Sequence, residues 1–255
     1  MRRVSSIALN TFRESVREKL LFVALIFGGI LTLSTYLLSP LAVGAKQKIV
    51  TDVSLASISI LGVLAAIFVG STLVRKEVDK KAVFMVLTRP VSRLQYLIGK
   101  FIGVVMAISL LVLVMTGFMV LMMLIGKAEF KPALFVAVYL SALEITVMCS
   151  VVIFFSTFTT PVLTLLFSMC IFVAGSLSGD LLAFAQKFGG AFTRIMARAF
   201  HYILPNLGIF NLRHEAVHDL PFFGSDVALA TLYALVYCGV VLYFAYLIFR
   251  RREFI

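Results

Sequence analysis

Residues 101–125 read FIGVVMAISLLVLVMTGFMVLMMLI, from Phe101 to Ile125, without a charged side chain in the run. A helix rises about 1.5 Å per residue, so about 20 apolar residues cover the ~30 Å of hydrocarbon in a bilayer. This stretch is long enough to cross and presents no charged face to water. Five more apolar runs qualify, one of them with Glu144 inside it: Leu20 to Leu38, Val53 to Val74, Ala133 to Phe158, Val162 to Gly179 and Val227 to Phe249. The expected architecture is an all-α polytopic membrane protein, with residues 1–255 forming one transmembrane domain of six helices.

The composition agrees. Hydrophobic residues make up 62% of the chain and charged residues 14%, and the mean hydropathy is +1.08. A soluble domain is roughly 45–50% apolar and about 25% charged, so one buried core could not hide this much apolar surface. The net charge of +11 does not point to nucleic acid, because 15 of the 23 Lys and Arg lie in the first 19 residues, in 75–100 and in the last six. Charge gathered at the ends of apolar spans reads as topology, not as the exposed basic face a nucleic-acid reader needs. Cys149, Cys170 and Cys238 all lie in apolar spans without Cys-x-x-Cys spacing and are expected to be packing residues.

Cytoplasmic segments carry an excess of Lys and Arg. With the N-terminus inside, that excess falls on residues 1–19, 75–100 and Arg250 to Arg252, so both termini are expected to be cytoplasmic. The first span is read as retained. Val43-Gly44-Ala45 has the small residues of a cleavage site, but the apolar run before it exceeds a signal peptide's, and Glu14 and Glu18 precede that run. Upstream, Val4, Ile7, Ala8, Phe12 and Val16 recur near helical spacing among Arg2, Arg3, Arg13, Arg17 and Lys19. Residues 1–19 are therefore expected to form an amphipathic helix along the cytoplasmic leaflet, contacting membrane lipid. The extracytoplasmic segment 180–225 is too polar to cross. A stripe of Phe184, Phe188, Phe192, Ile195 and Ala199, broken at Gly189 and Gly190, suggests two short interfacial or re-entrant helices ending at Pro205.

Between the second and third spans, residues 75–100 run RKEVDKKAVFMVLTRPVSRLQYLIGK. The apolar patch from Ala82 to Leu87 is too short to cross and suits a short helix docked on another surface. Pro90 ends it by removing a donor and restricting the preceding residue. Ser92, with Gln95 three residues on, then forms a capping box for a helix leading into the third span. The result is a bent elbow below the membrane, with Glu77, Asp79, Lys80, Lys81, Arg89 and Arg93 as a polar rim around an apolar plug. The residues alone leave two readings open, a protein-docking elbow or a basic loop held at anionic lipid.

Glu77, the run Leu87-x-x-Pro90-Val91-Ser92-Arg93 and Gly99-Lys100 resemble the ABC-2 type transporter permeases, in particular the six-span members related to copper-enzyme-maturation permeases. The resemblance continues through Tyr202-Ile203-Leu204-Pro205-Asn206-Leu207, Ala216-Val217-His218 and Arg250-Arg251-Arg252-Glu253-Phe254. The chain departs from many relatives at Lys81-Ala82, where they place Gly-Thr or a basic residue and Thr. What the resemblance implies is a non-catalytic transport subunit in a bacterial or archaeal plasma (inner) membrane, working as a homodimer or with a related permease. It also implies an interface with a separate cytoplasmic ATPase at Glu77, Asp79, Phe84, Leu87, Pro90, Val91, Ser92 and Arg93, together with the N-terminal helix. The chain itself would bind no cofactor, and ATP and Mg would sit on the ATPase. Independently, the sequence contains no Gly-x-x-x-x-Gly-Lys-Ser/Thr phosphate loop.

Glu144 is the ionisable residue well inside a span. A central carboxylate costs about 2.5–3.5 kcal/mol on insertion scales, so it should be protonated or partnered, and Ser141 stands one turn back on the same face. It either lines a substrate path, takes a proton in an ion-coupled secondary transporter, or fixes helix packing. Gly99-x-x-x-Gly103 and Gly175-x-x-x-Gly179 permit close helix approach, the second being a candidate dimer contact. Finally, His214-Glu215-Ala216-Val217-His218 matches the zinc-protease pattern, with two histidines on one helical face and a glutamate to activate water. Pro205 and Pro221 confine that helix, and a third ligand would have to come from His201, Asp219 or another acid, so no metal site is expected.

Overall fold

The computed structural model describes residues 2–38, 46–79, 92–126, 131–188, 190–213 and 224–251. They form nine α-helices and one short 3-10 helix, with no strand among the described residues. In chain order these are α1 (Arg2–Val16), α2 (Lys19–Leu38), α3 (Lys46–Asp79), α4 (Arg93–Ile125), α5 (Pro132–Ser156), α6 (Pro161–Ser176), α7 (Ser178–Phe188), α8 (Ala191–Ile203), the 3-10 helix Leu207–Phe210, and α9 (Gly224–Arg251).

Within α3, α4, α5 and α9 lie stretches long and apolar enough to cross a membrane. Two bent pairs pass the same test together, α1 with α2 at 56° and α6 with α7 at 52°, so the described residues hold four such helices, or up to six spans where each bent pair is one. The expected span 162–179 is therefore not one straight helix. Its 16-residue helix α6 is about 24 Å long, short of the hydrocarbon thickness, and the chain bends at Leu177 before continuing as α7. By contrast, α3 has 34 residues and α4 has 33. Both are about 50 Å long and outrun the hydrocarbon.

Why the elements pack as they do follows from a solvent that does not compete for hydrogen bonds. Hydroxyls inside the helices mostly donate to their own backbone, as Thr32 does to Gly28, Ser54 to Val50 and Thr146 to Ala142. Large apolar side chains face outward along α2, α4, α6 and α9, among them Phe22, Leu113, Val162 and Leu235. The core lies between α3, α4 and α5, where Ile58, Val63, Val104, Leu140, Val147 and Met148 are almost wholly enclosed.

With no hydrophobic drive between helices in lipid, close contact rests on small residues. Along α3, Ser59, Gly62, Ala66 and Gly70 recur at helical spacing. A Cβ on Gly62 would stand 2.4 Å from Ile145 Cδ1 and one on Gly70 2.6 Å from Val152 Cγ1, so α3 lies directly on α5. The Gly99-x-x-x-Gly103 pair has a different partner from another span: Gly99 faces Ile7, and Gly103 faces Thr11 and the Ala8 carbonyl. It seats α1 along the first turns of α4, burying Ala8, Thr11 and Ser15.

Candidate functional site

At one end of the bundle α4 begins after Ser92. Ser92 Oγ accepts the Gln95 backbone N–H at 3.2 Å, and Gln95 Oε1 accepts the Ser92 N–H at 3.3 Å, closing the expected capping box. Arg93 turns inward. Its Nη1 donates to the carbonyls of Phe249 and Arg250, both at 2.9 Å. A helix leaves its last four carbonyls without intrahelical donors, and a cation there also suits the helix dipole. Tyr96 stacks on Phe249 with ring centroids 6.0 Å apart, and Leu97, Ile153 and Ala245 close a small second core beneath. The first turns of α4 therefore hold α1 on one side and the end of α9 on another.

Among the other residues expected at the ATPase interface, Glu77 and Asp79 lie on the last turns of α3. Phe84, Leu87, Pro90 and Val91 lie outside the described residues, as do His214, Glu215 and His218.

Toward the other end, Glu144 is buried on α5 and accepts a hydrogen bond from Ser59 Oγ of α3 at 2.8 Å. The expected neighbour Ser141 is not its partner, because the Ser141 hydroxyl donates to the Ala137 carbonyl at 3.0 Å. The serine one turn back serves its own helix, and a serine 85 positions away in sequence reaches the carboxyl. The signal that finds Ser59 is the small-residue stripe of α3, which brings that helix against α5 over Glu144.

Glu144 borders a cavity of about 380 Å³ between α3, α5, α6 and the segment after α8. Phe172 and Val173 of α6, Leu207 and Phe210 of the 3-10 helix, and Arg213 complete much of its wall. The 3-10 helix is driven into the bundle, with Leu207 and Phe210 almost wholly enclosed. Tyr233 of α9 holds it, accepting the Asn206 backbone N–H at 2.9 Å on its hydroxyl and setting its ring 6.0 Å from that of Phe210. Gly175 makes room for it, since a Cβ there would stand 2.6 Å from the Pro205 carbonyl oxygen. Gly175 thus meets its own chain, whereas Gly179 has nothing within 4 Å. Arg213 Nε pairs with Asp52 Oδ1 of α3 at 2.9 Å beside the cavity.

The arrangement has two distinct features: a junction where the first turns of α4 meet α1 and the end of α9, and a partly polar cavity in the opposite half. Against known families, the model described as ABC-2 family transporter protein matches residues 5–254. No curated protein matches the chain.

Proposed function

The chain belongs to the ABC-2 transporter family, and on that premise we propose that it carries substrate across the membrane with energy from ATP hydrolysed on a separate cytoplasmic ATPase subunit. Family membership makes it the multi-pass permease component of an ABC transporter. The segment 75–100 is the ATPase-docking elbow, the end of the bundle that carries it is cytoplasmic, and a second permease chain completes the pathway.

The observation that carries this reading is the junction at the start of α4. A transporter worked from outside must pass a push into its spans, and a floppy loop cannot do so. Here the elbow leaves α3 and enters α4, two helices that outrun the hydrocarbon. The turns it enters are fastened to α1 through Gly99 and Gly103 and to α9 through Arg93 and Tyr96. A displacement of the elbow then moves three helices as a unit. Interfaces of this kind have two packings more readily than a continuum, which suits alternating access. The family match runs through His214 to His218, which favours a permease segment over a protease site there.

Replacing the elbow's apolar plug by Phe84→Asp with Leu87→Asp tests this. The variant is expected to insert in the membrane normally and to lose co-purification with an ABC ATPase subunit. ATPase recovery equal to that of the unaltered chain would refute the docking role.

A further inference from the structure

We propose that the cavity beside Glu144 is a binding site for amphiphilic primary amines, molecules with an ammonium head on an apolar, aromatic-sized body. The inference deepens the transport reading by naming a class of cargo, and rests on that reading only for the word cargo.

The charge balance comes first. Among the described residues lining the cavity, the ionisable ones are Glu144 and Arg213. Arg213 is already paired with Asp52. The hydrogen bond to Glu144 comes from Ser59 alone among the described residues. Among the described residues the two carboxyls Glu144 and Asp52 thus share one cation, Arg213, and a group bringing one further positive charge completes the balance.

The direction of the hydrogen bonds narrows the head group. A hydroxyl has one hydrogen and two lone pairs. Ser59 has committed its hydrogen to Glu144 and Ser141 its hydrogen to the Ala137 carbonyl. Both therefore present only lone pairs to an incoming molecule, as Glu144 does when ionised opposite a cation. These three side chains accept and do not donate, in contrast to Asn211 and Arg213 elsewhere in the lining, so together they complement a head with several N–H groups. A primary ammonium has three donors for Glu144, Ser59 and Ser141, an alcohol has one, and a carboxylate has none. Opposite, Phe172, Leu207 and Phe210 give an apolar face for the body, and about 380 Å³ suits a small organic ligand. The rim residues Ile60, Val173 and Leu177 are exposed on the outside of the bundle, so an amphiphile has an apolar approach.

The test uses the chain alone in nanodiscs of zwitterionic lipid, without nucleotide, and three labelled probes sharing one body: 4-phenylbutylamine, 4-phenylbutan-1-ol and 4-phenylbutyrate. Equilibrium dialysis is corrected for partitioning into empty discs. The expected result is saturable binding of about one amine per chain, weakened by about tenfold or more, about 1.4 kcal/mol, in Glu144→Gln, with the alcohol weaker and the carboxylate unbound. Ser176→Trp, which fills the cavity and leaves Glu144 in place, is expected to abolish amine binding and carries the test if Glu144→Gln does not fold. Equal affinity of amine and alcohol, preference for the carboxylate, no saturable amine binding, or amine binding unchanged in either variant would overturn the site. Because no ATPase is present, loss of amine binding leaves the docking role standing, and loss of ATPase co-purification leaves the site standing.

Discussion

Arg93 is the first residue of α4, and its guanidinium ends on the last carbonyls of α9. Hydrogen bonds from a charged donor contribute about 1.5–3 kcal/mol, less where water reaches them, as it does at Arg250. Arg93→Ala should free the end of α9, and hydrogen exchange of the last turn should rise by about tenfold, the equivalent of about 1.4 kcal/mol. Arg93→Lys, which keeps the charge at the helix end but loses the fixed fork, should fall between. Unchanged exchange in both variants would mean that the apolar contacts of Phe249 and Ala245 with Tyr96, Leu97 and Ile153 hold the end of α9 without Arg93. The capping box at Ser92 was legible in the sequence because its two bonds join residues three apart. Glu144 was legible as an expensive residue, but its partner was not. Ser59 lies in another helix, and only the packing of α3 on α5 brings the two together. Arg93 is expected in the polar rim of the elbow, and nothing in its charge or position tells that its Nη1 also reaches the carbonyls ending α9. Its inward turn depends on where α9 ends in space.

At the scale of elements, small residues decide which helices touch. Gly103 admits Thr11 and the Ala8 carbonyl of α1, and overfilling such a contact costs typically about 1–3 kcal/mol. Gly103→Leu is expected to lift α1 from α4 while leaving the spans inserted. The check is labelling of a cysteine placed at Thr11, enclosed in the packed helix: it should react several-fold faster in the Gly103→Leu background. Equal reactivity would show that α1 does not depend on this seat. The pair Gly99 and Gly103 could be read as a site of close approach, yet not for which helix, since the motif specifies space and not its occupant. Likewise the apolar run 162–179 was long enough for a span, and its bend at Leu177 was hidden because hydropathy carries no angle. The bend and the room at Gly175 let the 3-10 helix Leu207–Phe210 enter the core and form the cavity wall.

For the whole molecule, the solvent dictates most of the plan. A chain with 62% hydrophobic residues turns large apolar side chains outward all around the bundle and keeps its small and polar ones for contacts between helices. That much follows from composition and run length. The division of labour between the two ends of the bundle does not, because it arises from which residues meet across long sequence distances. At one end α1, α4 and α9 are locked together at the start of α4. At the other, Glu144, Ser59 and Arg213 surround a cavity closed by a segment that first left the bundle and then returned. The central claim is that the locked end is driven by a separate ATPase. Purifying the tagged chain from its native membranes in a mild detergent, then identifying the co-purifying chains by mass spectrometry and assaying Mg-ATP hydrolysis, tests it most directly. An ABC ATPase polypeptide in equimolar amount and ATP hydrolysis by the complex are expected. Recovery of the chain without any nucleotide-hydrolysing partner, under conditions that preserve other membrane complexes, would contradict it.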